Sequence, residues 1–486
     1  MRSRSCYSTG VLIGLAFFSW SLTLVTCSRS LSADSAAWDG TLELAMDAEP
    51  GKLHAFLRTS AGQGPSGQQL TRTLTLTNWD DFSGQQHWSS GSRVRVLGTS
   101  DPNFPVRITA TTVTLLAAAT SRWANRFNIP DEQVYAAKNK SSTADLSEPE
   151  QGIRRQATAV RPGLKVLVVR PKFPAGCWAG SGATCSKAAW TATMNASDFT
   201  GVNTMLSTCT WNGVTLGGGV TITDDVNLAC PERTQTCDDL FNVVYDASNA
   251  ALATTYDLNS FDHVLYDLQS QRANFPSCRW LGMAVMGGQW IYMHGNCFAG
   301  TAMHEMGHNY NLDHSGAYDS AGQVADYGDG SCIMGFQTSF YAAYNANGTG
   351  GDIKCFSSPH IYRMGLASYP VIRPSNLPAG AITTRTLAVH WTGPTQALRL
   401  TGWGGSDFFL SYQYDGGPNI ALTEAGAMQA VLLVHQHPVV SSATQDTINF
   451  RHTVLAYGSS FALSSAPCNS LLPVASQRGT TGRYGE

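Results

Sequence analysis

The sequence is poor in charge. Asp, Glu, Lys and Arg make up 13% of it, against roughly 25% in an ordinary soluble domain. Basic and acidic residues number 31 and 34, a formal net charge of −3, so the chain carries no electrostatic footprint for nucleic acid or an anionic bilayer. Residues 31–155 lack cysteine entirely, which excludes a metal-blocking thiolate from that stretch. There is no C-x-x-C pair, which argues against a cysteine-based zinc site. Beyond residue 30 no apolar run is long enough to span a bilayer.

What is present begins with an export signature. Arg2 and Arg4 precede an apolar run at 11–25, and Val25-Thr26-Cys27 ends in small residues suited to cleavage. Residues 1–30 therefore read as a signal peptide of a secreted protein. Ten cysteines follow, nine of them between Cys177 and Cys355. An even number in a secreted chain predicts disulfides bracing that region, with connectivity left open. Asn139, Asn195 and Asn347 head glycosylation sequons.

The 486 residues suggest two to four domains. Short alternating runs at 42–46, 53–58, 71–77, 93–97 and 106–116 predict a small β-domain within residues 31–155, placed as a propeptide would be. A polar linker at 138–163 contains Arg154-Arg155, a candidate dibasic processing site. Residues 156–370 mix strand and helix patterns: an apolar run at 164–169 predicts a buried strand, and Leu240, Val243, Val244 and Ala247 share one helical face. Residues 371–486 read as a β-sandwich with strands at 387–391, 397–400, 408–414 and 428–435. The predicted class is α+β.

The chemistry lies in His304-Glu305-Met306-Gly307-His308-Asn309-Tyr310-Asn311-Leu312-Asp313-His314. On a helix, histidines four apart share a face and can reach one ion. Glu305 stands where a general base would hold a water. His314 reaches the same ion only if the chain turns back near Asn311, and Asn tolerates positive φ better than other non-glycine residues. Three neutral imidazoles with one open position describe a catalytic Zn²⁺ site. Downstream, Ser331-Cys332-Ile333-Met334-Gly335 resembles the Met-turn of metzincin metallopeptidases, with Met334 beneath the metal.

These motifs, together with Ser358-Pro359-His360-Ile361-Tyr362-Arg363-Met364-Gly365-Leu366, resemble the gametolysin family of cell-wall-lysing metallopeptidases of green algae. The resemblance implies a metzincin-like domain: a twisted sheet, a zinc helix and a Met-turn. It implies a secreted endopeptidase acting on structural glycoproteins of a cell wall or extracellular matrix, with Glu305 activating a zinc-bound water. It also implies that Leu281, Gly282, Met283 and Ala284 form the edge strand that binds extended substrate. Position 336 is Phe, so the tyrosine ligand that some metzincins carry two residues past the Met-turn methionine is absent.

Competing readings exist at several positions. Asp313 can support His314 or replace it. His263, His294 and His360 read as structural. His435 and His437 alternate onto one strand face, a metal pair without a third ligand. A gluzincin would use a downstream Glu in place of His314. For the whole chain, the rival from another class is a secreted matrix glycoprotein with an inactive metzincin-like fold.

Overall fold

The computed structural model describes residues 36–47, 53–63, 69–79, 92–100, 107–117, 163–197, 201–268, 280–318, 324–335, 354–375, 386–413, 431–438 and 449–455, a few single positions within these spans excepted. The signal peptide, Asn139, Arg154, Arg155, Asn347, Phe336, Cys278 and Cys468 lie outside them.

The apolar run at 164–169 becomes β6 (Lys165–Lys172). Its side chains alternate between two cores. Val166 and Val168 pack with one hydrophobic cluster, and Leu167 and Val169 with another. A strand buried on both faces must be continuously apolar, as parallel sheets covered on both sides require. β6 lies between β7 (Gly219–Asn227) and β8 (His263–Leu268), parallel to both. β10 (Trp290–His294) continues the parallel set, and β9 (Gly282–Val285) closes it antiparallel.

Helices cover both faces. The first core takes side chains from α1 (Lys187–Asn195), α2 (Val202–Cys209) and α4 (Ala299–Asn309). The second is built on α3 (Cys237–Leu252). The buried stripe of α3 comprises Leu240, Phe241, Val244, Tyr245, Ser248 and Leu252. It is rotated from the expected one, and Ala247 is exposed, because the aromatic bulk of Phe241 and Tyr245 faces the sheet.

The cysteine-free stretch forms β1 (Ala36–Asp47), β2 (Leu53–Gln63), β3 (Gln69–Leu76), β4 (Arg93–Ser100) and β5 (Arg107–Ala117). β1 pairs with β4 through its first half and with β2 through its second. β3 joins β5 in parallel, and β5 joins β4 antiparallel. The pairings close a ring in the manner of the OB-fold, a five-stranded Greek-key barrel. The switch of partners falls at Thr41, beside Gly40, where a Cβ would lie 2.4 Å from the Arg58 carbonyl oxygen.

The barrel is welded to the rest. Ala45, Met46 and Asp47 pair antiparallel with Val285, Ala284 and Met283, making one ten-stranded sheet. β9 therefore has no open edge in this chain: β1 fills the side on which substrate was expected. The barrel also grips α3. Asp246 accepts from the Thr73 amide and hydroxyl at 2.8 and 3.0 Å, Asp239 pairs with Arg107 at 2.7 Å, and Asp238 with His54 at 2.8 Å. Arg58 binds Glu43 at 3.0 Å and lies over the rings of Tyr245 and Trp290 at 4.7 and 4.8 Å.

The strands after residue 371 do not make a two-sheet sandwich among the described residues. β13 (Val371–Ile372), β14 (Ala397–Trp403), β15 (Ser406–Gln413), β16 (Val431–Pro438) and β17 (Asn449–Leu455) form one sheet that continues into β11 (Ser315–Tyr318) and β12 (Val324–Ala325). β17 satisfies the free side of β11 in parallel, so the C-terminal strands and the peptidase segment share backbone pairing. The strand expected at 387–391 is instead a short 3-10 turn, His390–Thr392.

Three disulfides link described residues: Cys177–Cys230, Cys185–Cys297 and Cys209–Cys355. Cys237 is also disulfide-bonded. Cys332 departs from the expected pairing and is a buried free thiol.

The ion pairs within the barrel differ in worth. Arg95–Asp39, half exposed on the barrel surface, contributes little. Removing one partner of a buried pair is costly, about 3–5 kcal/mol. Arg58→Ala is expected to fall in that range and Arg95→Ala within about 1 kcal/mol of wild type, read as shifts in guanidinium unfolding midpoints.

Candidate metal centre

α4 carries the first two histidines. Asn309, at its end, donates to the carbonyls of Val285 and Trp290 at 2.8 and 3.2 Å and meets His263 Nδ1 at 2.9 Å. These bonds lock the helix onto β9 and β10. Asn311 then adopts φ 65°, as the sequence predicts, while the Leu312 amide donates to the Gly307 carbonyl at 3.0 Å. This is a left-handed helix stop, and it turns His314 back toward His304 and His308.

The three side chains converge, with one ligand atom from each within 4.8 Å of the others. His304 Nδ1 lies 2.8 Å from the Ile333 carbonyl and His308 Nδ1 2.8 Å from the Leu312 carbonyl. A carbonyl can only accept, so both Nδ1 atoms carry the proton and both Nε2 lone pairs face inward. Those two Nε2 atoms are buried without a hydrogen-bond partner. Burial pulls His304 down to about 4. It also holds His308 and His314 well below their ordinary value, with neighbouring imidazoles adding to the effect. A buried set of neutral nitrogen donors is what a borderline-soft divalent cation such as Zn²⁺ takes, so the residues fit the metal. Asp313 is not among the converging groups; its carboxylate accepts from the His314 amide at 2.7 Å.

Two glycines shape the site. A Cβ on Gly282 would lie 2.3 Å from Glu305 Oε1 and 2.6 Å from its Cγ, so the buried Glu305 side chain packs directly on the β9 backbone. Met283 and Ala284, the next residues along β9, are buried and pair with β1; Leu281 precedes the strand. A Cβ on Gly307 would lie 2.3 Å from Met334 Sδ, which puts the methionine against the metal helix from below. The turn carrying Met334 is anchored through Cys332, whose sulfur accepts from the amides of Met334 and Ser357 at 3.4 and 3.2 Å and lies 3.3 Å from His360 Nδ1. Burial pushes this thiol up to about 11, so its role is packing rather than reactivity.

Asp329 ties this turn to the C-terminal sheet. It accepts from Ser315, Ser331 and the Ser331 amide, and pairs with His435 on β16 at 3.0 Å. His435 thus has a structural partner, and His263, His294 and His360 are likewise bonded within the core. Asn195 is exposed at the end of α1. One group escaped the sequence reading: Tyr327, whose hydroxyl lies 2.6 Å from His314 Nε2. Nothing in the motif spacing points to it.

Two outcomes are expected. Because the site histidines are held below 6.5 in the fold, the unfolded chain binds more protons at mildly acid pH. Stability of metal-stripped protein should be full above pH 6.5 and fall as pH drops towards 4, measured as Tm against pH. Gly282→Ala should push Glu305 aside while leaving the histidines in place. Activity should fall by about 10²-fold or more with metal stoichiometry unchanged.

A model of the family described as gametolysin peptidase M11 matches residues 165–411, just over half of the chain. The match begins at β6, takes in the whole histidine cluster and ends within β15. No curated protein matches the chain.

Proposed function

Because the chain belongs to the gametolysin peptidase M11 family, and so to a family of metallopeptidases, we propose that it is a secreted zinc endopeptidase that cleaves structural glycoproteins of a cell wall or extracellular matrix. The observation that carries the reading is the convergence of His304, His308 and His314 beside a buried Glu305. His304, His308 and His314 are the residues that would hold the ion. A divalent ion there supplies an acidified water and polarises the scissile carbonyl.

The chain's own residues do the rest. Glu305, on the helix between the first two histidines, takes a proton from the attacking water and returns it to the leaving amine. Gly282 leaves room for that carboxylate. Met334 supports Gly307 and with it the helix that carries both histidines. Substrate binds extended along β9 by backbone pairing, in the strand-addition mode.

That last point assigns a role to the barrel. β1 already pairs with Met283–Val285, and Gly282, against which Glu305 packs, is the next residue of β9. Two strands cannot pair with the same edge. Residues 31–155 therefore act as a propeptide that competes with substrate; cleavage at Arg154-Arg155 severs the linker, and departure of the barrel then frees the edge. The absence of cysteine in that stretch supports blockage by strand pairing. The disulfides and the family support export.

The direct test is proteolysis of a denatured protein substrate by material cleaved near Arg155. Chelation should abolish activity and zinc restore it. Glu305→Ala should lose about 10²–10⁴-fold while binding zinc stoichiometrically. Lack of activity in folded, zinc-loaded protein from which residues 31–155 have been removed, as an intact-mass spectrum verifies, would sink the peptidase reading and favour an inactive matrix glycoprotein.

A further inference from the structure

The family match ends at residue 411, yet the C-terminal sheet reaches the metal centre from beyond it. Asp329, wholly buried, uses its two carboxylate oxygens differently. Oδ1 accepts from the Ser331 amide and hydroxyl, at the start of the Met334 turn. Oδ2 accepts from the Ser315 hydroxyl at 2.7 Å and meets His435 Nε2, on β16, at 3.0 Å. A carboxylate accepts, so that nitrogen carries a proton. Ser315 is the residue after His314. We infer that His435 is a positioning residue for the third metal ligand: it holds the shared Asp329 oxygen, which holds Ser315 and so aims His314. The assignment rests on the metal-site reading above and extends it to a residue far outside the histidine motif.

Only one of the three ligands depends on this contact. His304 and His308 sit on α4, which Asn309 bonds to the sheet. The Met334 turn is pinned independently, by the Ile333 amide on the Cys355 carbonyl at 2.9 Å and the Ser357 amide on Cys332 Sγ at 3.2 Å. His314 instead follows the left-handed stop at Asn311 and leads into β11, a strand of four residues. Ser315 holds that segment. Its amide donates to the Met334 carbonyl at 2.8 Å, its carbonyl accepts from the Asp329 amide at 3.1 Å, and its hydroxyl reaches the oxygen that His435 also meets. Tyr327, which meets the His314 ring, lies two residues from Asp329 on the same loop, so its place depends on the same anchor. His435 is wholly buried, and the β16–β17 ladder shifts register beside it, an irregularity of the kind that re-aims a side chain. Removing the imidazole leaves a buried carboxylate short of a donor. The carboxylate then shifts, Ser315 shifts with it, and His314 loses its aim while the other two histidines keep theirs.

The test is zinc affinity, measured on the stripped full chain by competition with a chelating indicator. His435→Leu is expected to weaken binding about 10-fold or more. His435→Gln, whose amide nitrogen can stand where Nε2 stands, should restore most of it. In a His314→Ala background, His435→Leu should cost nothing further, because the ligand it acts on is gone. An equal loss in both backgrounds overturns the inference. So does a folded His435→Leu that binds zinc as wild type does while its Tm falls, which would assign His435 to stability alone. If His435→Leu does not fold, Ser315→Ala cuts the same link at its other end: weakened zinc binding supports the assignment and unchanged binding overturns it. Failure of wild type to bind one equivalent of zinc overturns the metal site and this inference together.

Discussion

Three imidazoles can face one another inside a protein only while they remain neutral. Protonating any of them would set a charge in a site closed to water, where burial disfavours it. The fold around α4 follows from that requirement. Backbone carbonyls of Ile333 and Leu312 take the Nδ1 protons of His304 and His308, and burial holds all three rings far from protonation. The same carbonyls bring the Met334 turn and the helix stop at Asn311 into contact with the rings. A cation resolves what would otherwise be a costly knot of inward-facing lone pairs. Metal affinity and the acid sensitivity of the fold are thus two aspects of one arrangement.

Sheet pairing governs the other half of the molecule. The five parallel and antiparallel strands β7-β6-β8-β10-β9 end at a strand only four residues long, Gly282–Val285. Left bare, its edge would expose backbone donors and acceptors beside the candidate catalytic carboxylate. An exposed edge is both a binding site and a liability. β1 covers it, and the covering strand is held both by its own ladder and by the barrel's charged and aromatic grip on α3. Arg58 on β2, Thr73 on β3 and Arg107 on β5 tie the barrel to α3 through strands other than β1. Cutting the linker therefore need not by itself release the edge. Affinity lies in the α3 contacts and blockage lies in β1, so the two properties can be tuned by different residues.

The sequence made some of this legible. Histidine spacing, the need for positive φ at Asn311 and the methionine turn are local, so periodicity and residue chemistry reveal them. The barrel strands were visible as alternating runs, and β6 as an unbroken apolar one. What was not legible depends on contacts between distant residues. α1 and α2 carry no strong stripe and were passed over; Trp190, Met194 and Leu206 gain meaning only against the sheet. β17 was missed because its pattern is weak and its pairing partner, β11, lies more than 100 residues away. Tyr327 gave no signal, since nothing in its neighbours reveals that the loop returns it to His314. Cys332 looked like a disulfide partner by parity and is instead a hydrogen-bond acceptor for the turn it sits in.

The parallel pairing of β11 with β17 also sets an order of assembly. β11 begins at the residue after His314, and its partner is Asn449–Leu455. Asp329, beneath the same strand, waits for His435. A chain emerging from the ribosome has made all three histidines well before it has made either partner. His314 is thus left next to an unpaired strand until residues 435–455 have been made. The histidine cluster gains its full support only once Asn449–Leu455 has been made, after the barrel of residues 36–117 has had time to fold.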